Sequence, residues 1–263
     1  MRFALGAAIA LLAASCAPTL RAPEGLDPST ILARHERLRS ARETRLVAVR
    51  MDATAWIEGE NFGRLPALQL DLALAAPDRV RARFGSMFGT ALDLMVRGDS
   101  LRAYIPPRRL GFELASLEES LGVRLPGSWA CRAVAATWRP ADPRWTRVAD
   151  DSLWRAAWLE GSDSLGLALD SRGLPVSVEL RAGSGRRLRV GYPAWNWEDG
   201  VAWPARIELE EGSGAFRATL RLDRVRFLRE PDPLWMVFAI PASAERLDWE
   251  ALRGALARLG SRP

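Results

Sequence analysis

The hydrophobic period of this chain changes more than once. Asp27-Pro28 joins an N-cap residue to a proline suited to a first helical turn, and Ile31, Leu32, His35 and Leu38 then share one helical face to about Arg42. From Thr44 the period becomes two. Leu68, Leu70, Leu72 and Leu74 alternate with Gln69, Asp71 and Ala73, and Pro77-Asp78 turns the chain into Val80, Ala82 and Phe84. Further runs occupy 91–96, 101–105 and 110–114, with Gly98-Asp99 and Pro106-Pro107 as turns. A helical stretch covers 116–121 and 129–138, set apart by Gly122, Pro126 and Gly127. Strand patterns resume at 153–159, 165–169, 176–180, 188–192, 205–209 and 216–227. In the last of these the apolar set moves from even to odd positions between Leu222 and Val225, which predicts a β-bulge near Asp223. Trp249, Leu252, Leu256 and Leu259 mark a C-terminal amphipathic helix.

The pattern predicts a mainly β chain of about eleven strands at hairpin spacing, with one helical excursion in the middle. Strands that alternate this cleanly need a covered apolar face. With so few helices, the sheet has to curl on itself and take the helices as a plug, giving a strongly curved antiparallel β-barrel. No linker rich in Gly or Ser divides residues 27–263, which read as one domain.

Residues 1–15 read as an export signal. Arg2 is followed by an apolar stretch, Phe3 to Leu12, too short to span a bilayer, and then by the small residues Ala13, Ala14 and Ser15. Cys16 directly after them has the layout of a lipobox, with Ala13 where leucine is usual; the alternative is an ordinary secretory signal beside an unrelated cysteine. As a lipidated N-terminus Cys16 would head a tether, residues 16–26, holding the body at a membrane. Ala17 stands where aspartate would signal inner-membrane retention, so the expected location is the outer membrane, facing the periplasm.

Composition narrows the partners. The net charge is +5, the basic residues are all arginine, and acids interleave with them along the chain, so a nucleic-acid surface is not expected. With Cys16 lipidated, Cys131 has no disulfide partner and reads as a small core residue among alanines. No catalytic or metal motif stands out. His35 is the only histidine and sits on the apolar side of a helix, where a buried structural role fits better than a triad or a metal site. The carboxylate pairs Glu118-Glu119, Asp150-Asp151 and Glu210-Glu211 adjoin turns or lie on strand faces, as solvated residues do. Gly183-Ser184-Gly185 lacks the third glycine and the helix of a phosphate loop and reads as a hairpin. The expectation is a protein without enzymatic activity, cofactor or metal.

Two features ask for more than a plain core. The chain has 11 Trp against 2 Tyr, and indoles such as Trp129, Trp138, Trp154 and Trp158 either fill a wide barrel or line a cavity for a greasy ligand. Met87 and Phe88 stand between small residues at a strand–strand turn, where Asn, Asp, Gly or Ser is usual. They either contact a bilayer or a partner, or fold inward at the strand ends.

With these features the chain resembles LolB-like outer-membrane lipoproteins. The resemblance is carried by Cys16, by 80–96 with Gly85-Ser86-Met87-Phe88-Gly89-Thr90, by Leu121-Gly122-Val123-Arg124-Leu125-Pro126, and by 192–222 with Gly200-Val201-Ala202-Trp203-Pro204-Ala205. It implies an incomplete barrel of eleven strands closed by helices around an apolar cavity for acyl chains. It also implies that Met87 and Phe88 touch the outer-membrane bilayer, and that a periplasmic LolA-like carrier supplies the cargo. The arginine and tryptophan load and an extension from Pro231 depart from the family pattern. The apolar strand faces nominate Leu70, Leu72, Phe84, Leu94, Val178, Leu209 and Leu220 as cavity residues. The expected function is therefore a membrane-anchored lipoprotein that binds acyl chains of lipoproteins or lipids and helps insert them into the outer membrane. The alternative is a non-transporting assembly or scaffold lipoprotein with a closed core.

Overall fold

The computed structural model describes residues 27–60, 63–86, 89–116, 127–141, 143–148, 153–183, 185–248 and 251. The chain enters through helix α1 (Pro28–Arg45), started by Asp27 in extended conformation and Pro28. Strands β1 (Ala48–Gly59), β2 (Gly63–Arg64), β3 (Leu68–Ala75), β4 (Arg79–Ser86), β5 (Gly89–Arg97), β6 (Ser100–Ile105) and β7 (Leu110–Leu114) follow. Helix α2 (Gly127–Ala135) then precedes β8 (Arg144–Val148), β9 (Leu153–Glu160), β10 (Asp163–Leu169) and β11 (Pro175–Arg181). The long strands β12 (Arg187–Glu198), β13 (Val201–Glu211) and β14 (Phe216–Leu228) complete the meander, before the one-turn helix α3 (Pro233–Met236) and β15 (Glu245–Leu247).

All the strands join one curved, unclosed sheet, ordered β15-β7-β6-β5-β4-β3-β1-β14-β13-β12-β11-β10-β9-β8, with β2 beside β1. Neighbours are antiparallel except β15, which lies parallel to β7. The link between the two halves is β1 with β14, paired from Ala48↔Leu228 to Gly59↔Phe216. The bulge expected near Asp223 is there: Asp52 faces Arg224 and Ala53 faces Leu222, leaving Asp223 as the extra residue. Its carboxylate accepts from Thr54 Oγ1 (2.9 Å) and Arg221 Nε (2.8 Å), so the bulge is secured on the outer face.

The sheet has fifteen strands among the described residues, against the expected eleven or so. Much of the difference lies in β2, β8 and β15, of two, five and three residues. Such pieces are too short, or too rich in arginine, to carry a period of their own; they are strands because a neighbour offers hydrogen bonds. The strands on either side of the predicted hairpin at 183–185 are paired with each other, and Gly185 N donates to Ala182 O (2.8 Å).

The inner face holds one continuous core. It runs from Val49, Met51, Ala53 and Ala55 of β1 through Leu70, Leu72 and Leu74 of β3 to Leu165, Leu167 and Leu169 of β10, and includes Trp129, Cys131 and Trp138 from α2 and the segment after it. The helices thus act as a plug, as the strand pattern predicts. α2 packs on β4, β5 and β13, and α1 packs on β13.

The outer face carries alternating charges over much of its area, for example Glu210 with Arg217 and Asp52 with Arg226. One part is covered. After β14 the chain turns back across the outside of β3, β4 and β5, and Trp235 lies with Arg50 and Arg83 guanidiniums 4.1 and 4.3 Å from its ring centre. Arg81, buried on that face, pairs with Asp93 and donates to the carbonyls of Trp235 (2.9 Å) and Val237 (2.6 Å). Ile240 packs on the bare backbone of Gly111, where a Cβ would collide with it.

Candidate functional site: the plugged inner face

The seven nominated residues share one side of the sheet. Leu70, Leu72 and Val178 are buried, and Phe84, Leu94, Leu209 and Leu220 are half-buried against the same core. Register explains their grouping. Phe84 pairs with Leu70, and Leu70 with Ala53, while Ala82 pairs with both Leu72 and Leu94. In the other half, Val190 pairs with Val178 and Leu209, and Leu220 pairs with Ile207. Alternation on each strand selects the face, and pairing of the strands carries one apolar surface around the curve.

Indoles fill much of the space against this face. Trp138 and Trp203 are 1% and 0% exposed, and Trp129 meets Trp138 edge to face with ring centres 5.1 Å apart. Trp203 packs likewise against Phe227 at 5.2 Å. Trp158 is buried, and Trp154 is half-buried against the core. Hollows of about 240 to 420 Å³ do occur, lined by outer-face polar residues such as Arg97, Arg102, Arg155, Glu179 and Arg189.

The plug is tied down by side chains that donate to backbone carbonyls. Tyr192 accepts from Trp138 Nε1 (2.7 Å) and donates to Ala133 O (2.8 Å), linking β12 to the end of α2. Burial raises its phenol pKa, opposed by the Trp138 hydrogen bond. From α1, Arg34 donates to Ser171 O (3.1 Å), and Arg42 donates to Ala136 O (3.1 Å) and Ala202 O (3.4 Å). Arg42 is fully buried with its guanidinium 5.0 Å from the Trp195 ring centre, and desolvation lowers its pKa to about 10. His35 Nδ1 lies 3.1 Å from Gly173 O and Nε2 lies 3.3 Å from Trp138 O. Gly173 makes this approach possible. It has φ +81°, and a Cβ there would stand 2.7 Å from His35 N and 2.9 Å from Arg34 Cβ.

His35 is buried in the helix, as its place on the apolar stripe suggested. Cys131 is also buried, with its thiol pushed up to about 12 by desolvation, and its Sγ lies 3.6 Å from Arg79 O. Glu210 and Glu211 accept from Arg217 and Arg186, each at 2.7 Å. Among the described residues, no cluster of His, Cys, Asp and Glu is placed to hold a metal ion, and no helix is long and apolar enough to cross a membrane. Several sequence expectations lie outside the described residues: Cys16 with the signal and tether, Met87 and Phe88, Glu118-Glu119, Asp150-Asp151, the 121–126 stretch, and Trp249, Leu252, Leu256 and Leu259. On either side of Met87 and Phe88, β4 and β5 pair out to Ser86↔Gly89.

Sequence reasoning missed Arg42 and Arg81. A signal existed for Arg42, which continues the stripe Ile31, His35, Leu38 at helical spacing and so puts a cation on the buried side. For Arg81 there was none, because alternation assigns it to the solvent face of β4 and only the distant return of the chain buries it.

No protein-family model matches the sequence, and no curated protein matches it. Solved structures do. A LolA superfamily protein from Nitrosomonas europaea is 14% identical, with a TM-score of 0.54 over 81% of this chain and 99% of that one. A DUF1329 family protein from Desulfovibrio piger is 10% identical, with a TM-score of 0.54 over 81% of this chain and 98% of the other. At these identities the likeness is one of fold, and it covers nearly the whole of both neighbours.

Proposed function

We propose that this protein is a lipid-anchored envelope lipoprotein that binds acyl chains on the inner face of its half-barrel and passes them to the outer membrane. Cys16 is the anchor, the body faces the periplasm, and Met87 and Phe88 touch the bilayer during delivery. The cargo is an acylated protein or a lipid, handed over by a LolA-like periplasmic carrier as in LolB-like proteins. The reading requires no covalent chemistry and assigns no cofactor.

The observation that carries it is the form of the inner face: one apolar surface on an unclosed sheet, covered by helices that pack on it through apolar side chains and are tied down by side-chain bonds to carbonyls. A covering of that kind is able to separate from the sheet without breaking a strand pair. Lifting it exposes apolar surface, and an acyl chain entering in its place recovers roughly 0.8 kcal/mol per buried CH₂. The fold shared with a LolA superfamily protein supports the same reading. The burial of Trp138 and Trp203 favours the alternative, a scaffold lipoprotein whose core stays closed.

Mass spectrometry of the purified full-length chain, followed by delipidation and incubation with a fluorescent fatty acid, separates the two. Bound lipid and saturable uptake are expected. Lipid-free material that takes up none across a range of conditions overturns the binding reading. Loss of the membrane association in Cys16→Ser, and weaker liposome binding when Met87 and Phe88 are both made serine, test the anchor and the contact separately.

A further inference from the structure

His35 is the only histidine in the chain, it is 3% exposed, and both of its ring nitrogens face carbonyl oxygens. A neutral imidazole has a single N–H. It therefore satisfies either Gly173 O or Trp138 O and turns a lone pair toward the other. An imidazolium would satisfy both, but it would be a buried cation with Arg42 and Arg39 acting on it. Arg34, Arg39 and Arg42 lie along α1, Arg139 follows Trp138, and Arg172 precedes Gly173. The nearby carboxylates are already engaged: Glu36 and Glu43 with Arg39, and Asp170 with Arg172. Burial, reinforced by Arg42 and Arg39, outweighs the two carbonyl contacts and holds the imidazole below its ordinary value of 6.5.

The position of the ring gives this consequence. His35 bridges α1 to two separate segments, the turn between β10 and β11 and the stretch after α2. Arg34 and Arg42 tie α1 to the same two regions and to the start of β13. If α1 lifts, the ring passes from that buried site into water and is free to take a proton. We propose that α1 is an acid-released latch, in which protonation of His35 favours the lifted helix and uncovers the plug and the inner face at that end.

The sign follows from linkage. The lifted state binds a proton at the ordinary imidazole value, while the docked state resists it. The opening equilibrium is therefore insensitive to pH well above 6.5 and grows as pH falls. The growth is at most about tenfold per pH unit, until the docked ring itself titrates. That opening admits or releases an acyl chain rests on the lipid-binding reading; the latch itself does not.

The single imidazole makes the test direct. In the full-length chain, NMR titration of its ring protons should show a midpoint below 6.5. Hydrogen exchange of α1 amides, corrected for the intrinsic pH dependence, should rise up to about tenfold between pH 7.5 and 5.5 while β1 stays protected. His35→Gln should abolish that rise. A midpoint at or above 6.5, α1 protection that is unchanged or higher in acid, loss of protection in β1 together with α1, or an equal rise in His35→Gln would each overturn the latch. The wild-type titration decides even if the variant does not fold. An acid-released helix in a chain that takes up no fatty acid at either pH would support the latch and overturn the lipid reading alone.

Discussion

Tyr192→Phe isolates the bond set that holds the plug. The change deletes one oxygen, leaves the ring in place and opens no cavity of consequence. It removes the acceptor of Trp138 Nε1 and the donor to Ala133 O, both near Tyr192 in the closed interior. Ala133 lies in the last turn of α2, where carbonyls lack an intrahelical partner. An unsatisfied buried donor or acceptor costs about 1–3 kcal/mol, so two together should cost about 2–6 kcal/mol. Urea unfolding followed by tryptophan fluorescence measures this. With a slope of about 2–3 kcal/mol per molar for a domain of this size, the midpoint should fall by roughly 1–3 M at unchanged slope. A loose plug should also take up fatty acid faster than the parent. A midpoint shift within about 0.2 M would mean that these groups find other partners, and the account of the plug as a hydrogen-bonded lid would fail.

Three further outcomes follow from the geometry. Arg81→Met leaves Asp93, among the described residues, with Arg83 at 3.6 Å and strips donors from the carbonyls of Trp235 and Val237, so stability should fall by about 3–5 kcal/mol and protease should cut near residue 235 first. Asp93→Asn in the same chain should recover part of the loss. Gly173→Ala forces a Cβ against His35 N at positive φ, and should cost about 2 kcal/mol or more and raise hydrogen exchange in α1 before it does so in β1. The Cys131 thiol, pushed up to about 12 by burial, should resist iodoacetamide at pH 8 until urea unfolds the chain. Because an unfolded thiol ionises near 9, its contribution to stability is lost as pH rises from about 9 toward 12.

Much of the sheet was legible because alternation is a local property. Leu70, Leu72 and Leu74 declare the inner side of β3 without knowledge of any partner, and the switch of parity after Leu222 locates the bulge to the residue. The side of the sheet shared by Leu70 and Val178 was legible for the same reason, although they lie in different halves. What failed were elements defined by a neighbour alone. β15 is a strand because Glu245–Leu247 meets the edge of β7, and nothing in Glu-Arg-Leu announces it.

The amino-acid sequence by itself determined the curved, mainly β body, the apolar face, the helical plug and the burial of His35 on its stripe. Each rests on periodicity and turn chemistry over a few residues. Tertiary structure alone decided what those parts do to one another. It placed both nitrogens of His35 against carbonyls 103 and 138 residues away, buried Arg42 against the carbonyls of Ala136 and Ala202, and folded the chain after β14 over Arg81. These are contacts between segments with no common period. Their energies come from desolvated charge and hydrogen-bond geometry, which exist only once the sheet has brought the segments together.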